Sequence, residues 1–183
     1  MDLFLWELAR ASGLAAYTAV CIAVITGLAP RTAALRFLAQ NRAVRALHDF
    51  SPLLVIPLSL LHVVALLLDA TARITVRDLL VPFVASYGQL AIGLGTISLD
   101  LLVVVLVTTW LRPRMSNRVW QLFHRLSYAA FVALFFHSIL SGTDLTSPVI
   151  AGLAWIAALV VAYYSLERVL GSLTRPESSR ARA

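Results

Sequence analysis

The chain contains no lysine, a single cysteine and little charge of either sign: 13% of its 183 residues are Asp, Glu, Lys or Arg, against roughly 25% in a soluble globular domain. One cysteine, Cys21, excludes an intramolecular disulfide, an iron–sulfur cluster and a cysteine-based zinc site within one chain. Any redox chemistry must therefore use another group. What the chain has in abundance is apolar surface, with 60% hydrophobic residues and a mean hydropathy of +0.86. Spread over several uncharged stretches of about twenty residues, this is more than one water-soluble core of this size can hide. A bilayer is the expected solvent. All 15 basic residues are arginine, and the net charge of +6 speaks to orientation at a membrane face rather than to nucleic acid.

Five spans are predicted. Ala11 to Pro30 is uncharged, and the acidic Asp2 and Glu7 before it stand where a signal peptide would be positive, so this span is retained. Phe50 to Leu68 is the second; it extends back through His48 and should bend at Pro52 and Pro57. The third runs from about Gln89 to Leu111, the fourth from about Val119 to Ser141 and the fifth from Val149 to Leu166. Thr71 to Tyr87 mixes charge with apolar residues and reads as an interfacial segment. Arginines 31, 36, 42 and 45, then 112, 114, 118 and 125, then 168, 175, 180 and 182 all fall on one side. By the positive-inside bias that side is cytoplasmic. The expected fold is an all-α bundle of five transmembrane helices with the N-terminus outside and the C-terminus cytoplasmic, in the inner or plasma membrane. Residues 1–170 form the membrane domain and 171–183 a polar tail too short for a flavin or nicotinamide domain.

All four histidines fall on two spans: His48 and His62 on the second, His124 and His137 on the fourth. Both spans start at the arginine-rich side, so His48 shares a depth with His124, and His62 with His137. Separations of 14 and 13 residues place the two levels roughly 20 Å apart. Two cross-helix pairs at two depths is the arrangement that holds two haems by bis-histidine ligation, and imidazole suits haem iron. Fourteen positions return His62 to within roughly 40° of His48 on the helical wheel, whereas thirteen leave His137 roughly 140° from His124, so the two sites are expected to differ in rotation.

The stretch Trp120 to Asp144, WQLFHRLSYAAFVALFFHSILSGTD, with its W-x3-H-R-L-S-Y start and G-T-D end, together with an H-x13-H helix paired to an H-x12-H helix, resembles the ferric reductase-like transmembrane domain. That domain is shared with NADPH oxidases, yeast-type ferric reductases and the haem-binding membrane subunit of the methionine-sulfoxide reductase system. The resemblance covers roughly residues 10 to 170. It implies a b-type cytochrome with two haem b, His48 and His124 holding the inner iron and His62 and His137 the outer one. The chain differs from the family in carrying Asp49 after its first histidine, where a basic residue is frequent.

Arg45 and Arg125 flank the inner histidines and are candidates for pairing haem propionates. Asp100 sits near the midplane of the third span, as a proton relay or as a neutral group bonded to a neighbour such as Tyr128. Phe131, between the levels, is either core packing or a spacer between haems. The implied function is electron transfer from the cytoplasmic to the outer side, with a separate flavoprotein or quinol as donor and an acceptor at the outer face. The competing classes are a relay subunit for a periplasmic redox enzyme and a haem-free proton or ion pathway.

Overall fold

The computed structural model describes residues 2–29, 37 and 40–173, and these are mainly helical, with no strand among them. The seven helices are α1 (Leu3–Leu28), α2 (Arg42–Leu68), the short α3 (Val76–Leu80), α4 (Gln89–Trp110), α5 (Asn117–His124), α6 (Leu126–Ser141) and α7 (Pro148–Leu173). Five segments are long and apolar enough to cross a membrane: α1, α2, α4, α5 with α6, and α7. Leucines such as Leu60, Leu153 and Leu159 point outward and are more than 60% exposed, an arrangement water would penalise and hydrocarbon accepts. Arginines 31, 36, 175, 180 and 182 and most of the expected tail lie outside the described residues.

Local chemistry sets the helix ends. Asp2 accepts from the Phe4 and Leu5 amides at 3.1 and 3.4 Å, so α1 starts well before the uncharged run and draws Glu7 and Arg10 into a helix expected to begin at residue 11. Asn41 caps α2 through the Ala43 amide at 2.9 Å. Thr75 and Asp78 form a reciprocal capping box on α3. Gly88 takes φ +53° to launch α4, a conformation glycine adopts freely. Pro148 opens α7, where its missing N–H costs nothing, and α7 continues to Leu173, beyond the expected limit at residue 166.

Two antiparallel helix pairs, α1 with α2 and α4 with α6, provide the most extensive packing, and α1 meets α6 between them. The core lies at that junction, with Tyr17, Val20, Val24, Leu28, Phe131 and Phe135 buried together. Tyr17 and Phe131 stack with ring centres 6.5 Å apart, so Phe131 is a core residue between the two histidine levels. The segment from residue 69 to 88 is a folded connection that carries the short α3 and no membrane-length helix. The Asp69 carboxylate accepts from the Thr71 amide and hydroxyl, Tyr87 donates to the Ala72 carbonyl, and Phe83, at φ +65°, lies against Gly93 of α4.

The fourth span is where the structure departs furthest from a uniform helix. It breaks at Arg125, and the Tyr128 amide bonds to the Arg125 carbonyl three residues back. A turn closed at three residues advances about 120° per residue instead of 100°. The tightening rotates His137 toward the face His124 occupies and reduces the offset expected from thirteen regular residues.

Candidate functional site

Three of the four histidines are held by one repeated device. His62 lies over Gly13 of α1, His48 over Gly27 of α1 and His137 over Gly95 of α4, so close that a Cβ on each glycine would stand 2.8, 2.8 and 2.7 Å from the ring. Each ring's Nδ1 reaches the backbone carbonyl four residues before its glycine: Ala9 at 2.7 Å, Ala23 at 2.8 Å and Ala91 at 2.8 Å. A carbonyl only accepts, so Nδ1 carries the proton and donates, and the neutral ring keeps its lone pair on Nε2. The sequence signal is an Ala-x3-Gly repeated at residues 9–13, 23–27 and 91–95. On α1 the 14-residue spacing of Gly13 and Gly27 mirrors that of His62 and His48. Sequence reasoning passed over this motif. Gly93 and Gly95 each make room for a particular ring: Phe83 and His137.

The fourth histidine is seated differently. His124 ends α5 and stacks on Trp120 with ring centres 4.8 Å apart and planes 24° from parallel. The Arg112 guanidinium lies over the same indole, 4.3 Å from its centre, a cation–π contact. The Trp120 Nε1–H is buried and has no hydrogen-bond partner among the described residues.

The structure brings both expected pairs together. His48 and His124 have ring centres 6.2 Å apart, His62 and His137 6.4 Å, and in both the planes meet at 81°. Within each pair the rings therefore meet in the same way, although thirteen residues separate His124 from His137 and fourteen separate His48 from His62. With a metal about 2.0–2.1 Å from an imidazole nitrogen, itself roughly 1.1 Å from its ring centre, two imidazoles trans on one ion place their centres about 6.3 Å apart. Both pairs match that value. Among the described residues no three His, Cys, Asp or Glu side chains cluster, so each pair presents two imidazoles with no third such side chain beside them. The glycine beds, the Nδ1–H bonds, the orphaned indole N–H and the ring spacing would fit a metal that brings its remaining donors in a macrocycle.

A cavity of about 290 Å³ surrounds the His62–His137 pair, its wall including Trp6, Arg10, Gly13, Tyr87, Gly95 and Asp144. Arg10 bonds Asp144 through Nε at 3.2 Å and again through Nη2, and Glu7 through Nη1 at 3.0 Å. This ties α1 to the turn before α7. Arg10 holds the Asp144 carboxyl below the usual carboxylate range, and the Thr71 hydroxyl and amide do the same for Asp69.

Arg45 and Arg125 are exposed at the end of the bundle nearest His48 and His124. Asp100 is not bonded to Tyr128, contrary to the structural role considered for it. The Tyr128 hydroxyl instead accepts from Arg168 at 2.8 Å, and Asp100 is exposed on the outer face of α4.

The family model described as Domain of unknown function (DUF8596) matches residues 4–144, a segment that contains all four histidines and all three glycine beds. No curated protein and no solved structure matches the chain.

Proposed function

We propose that this chain, which belongs to the DUF8596 family, is a b-type dihaem cytochrome that carries electrons across a membrane. The observation that carries the reading is the common separation of the two histidine pairs, 6.2 and 6.4 Å, which is the spacing of trans imidazoles on one iron. The histidine spacings and the W-x3-H-R-L-S-Y start of the fourth span support it by resemblance to the ferric reductase-like transmembrane domain.

Haem, if held by these histidine pairs, would supply a one-electron couple, and ligation by two imidazoles would favour electron transfer over oxygen binding. The protein's part is positioning. Nε2 of His48 and His124 would hold one group, and Nε2 of His62 and His137 the other. The carbonyls of Ala9, Ala23 and Ala91 fix the ring orientation and tautomer and raise ligand basicity. Trp120 Nε1–H, Arg45 and Arg125 offer donors to carboxylates at the arginine-rich end. The Tyr17–Phe131 stack fills the space between the two levels and keeps water out of it.

By the positive-inside bias the arginine-rich end would lie in the cytoplasm and the N-terminus outside. The His48–His124 pair then faces a separate flavoprotein or quinol donor, drawn by the positive potential of that surface. The His62–His137 pair faces an acceptor at the outer side. The test is a reduced-minus-oxidised spectrum of the purified protein with haem quantified per chain. Two low-spin haems are expected, one lost in His62→Ala or His137→Ala and the other in His48→Ala or His124→Ala. A colourless wild-type protein, or variants with full haem content and an unchanged spectrum, overturns the reading.

A further inference from the structure

Among the described residues Asp100 is the one acidic side chain in the middle of a membrane-length helix: α4 runs Gln89–Trp110, and the residue is its twelfth. It is exposed, and it takes part in no hydrogen bond or ion pair among the described residues. The rest of α4 shows that the chain does not lack room for polar groups inside. Thr96 donates inward to the Asp78 carbonyl at 2.8 Å, and Ser98 to the Ala130 carbonyl at 3.1 Å. Asp100 is therefore turned away from an interior that already accommodates its neighbours. A carboxylate facing hydrocarbon is costly, and such residues persist where something pairs with them.

Asp100 also begins a seam. Val103, Val107 and Trp110 are exposed on the same side, at 50, 46 and 76%, in the 3-4-3 spacing by which one helix packs along another. The chemistry of the seam selects the occupant. A second copy in a two-fold contact would bring Asp100 against Asp100. The described arginines lie toward the helix ends or in the connections, so the described residues offer no basic group at that depth. We propose that the Asp100–Trp110 face of α4 docks a transmembrane helix of a different protein that presents a lysine or arginine at mid-depth. The inference rests on the five helices crossing a membrane and is independent of haem.

The test uses the full chain in liposomes with a fluorescent Leu/Ala helix of about 24 residues, long enough to span the bilayer, carrying one central lysine and read by energy transfer. The wild type is expected to bind this helix at least about tenfold more tightly than a helix with leucine at the centre. Asp100→Leu and Asp100→Asn should both abolish the preference. Equal binding of the two probes, binding of neither, or a wild-type self-association that depends on Asp100 and excludes the lysine helix would each overturn the proposal. Changing the probe alone keeps the test decisive where a variant folds poorly.

Discussion

Replacing the bedding glycines by alanine isolates the device that seats the histidines. An alanine in a helix interior is ordinarily more stable than glycine by about 0.5–1 kcal/mol. Here the new methyl of Gly13→Ala would stand 2.8 Å from His62 Nδ1, where ordinary contact begins at 3.4 Å. The ring must therefore retreat by 3.4 − 2.8 = 0.6 Å, or α1 and α2 must separate. The ring cannot retreat freely, because Nδ1 is bonded to Ala9 at 2.7 Å. Overpacking costs about 1–3 kcal/mol and a lost hydrogen bond about 0.5–1.5 kcal/mol, so together they outweigh the gain in helix propensity by about 0.5–4 kcal/mol. The same arithmetic holds for Gly27→Ala against His48 and Gly95→Ala against His137. A methyl on Gly152 would meet nothing within 4 Å, so Gly152→Ala is the matched control. Thermal unfolding in detergent and haem per chain read the result. Gly13→Ala and Gly95→Ala should deplete the same haem, Gly27→Ala the other, and Gly152→Ala neither. Glycine variants indistinguishable from Gly152→Ala in both measurements would refute the seating argument.

Trp120→Leu removes the indole stacked on His124 and the buried Nε1–H, and should shift the redox midpoint and spectrum of one haem alone in a spectroelectrochemical titration; two unchanged midpoints would refute a role for it. Asp144 has a carboxyl held below its ordinary value by Arg10, so the pair stabilises the fold at neutral pH. That contribution fades as the pH falls below about 4 and through the lowered native value. Thermal stability followed from about pH 6 downward should fall more steeply in the wild type than in Asp144→Asn. A reporter fused at the C-terminus should be cytoplasmic and one inserted beside Asp144 external, as read by protease accessibility in intact cells; the reverse pattern would invert the proposed direction of electron flow.

Hydropathy and the placement of arginine are properties of the chain read along one dimension. The long apolar runs were therefore legible, and so was the depth-matching of His48 with His124 and His62 with His137, because rise per residue converts position directly into depth. Rotation about the helix axis is a different quantity. It accumulates error with every residue, and the three-residue closure at Arg125 changed it in a way no residue type announced, so the equal geometry of the two pairs emerged only in three dimensions. The beds at Gly13, Gly27 and Gly95 and the Arg10–Asp144 tie, 134 positions apart along the chain, depend on which helix lies beside which. The outward turn of Asp100 has the same origin. A carboxylate's depth follows from counting, but whether it faces protein or lipid is decided by the neighbours α4 acquires, and those neighbours took the opposite side of the helix.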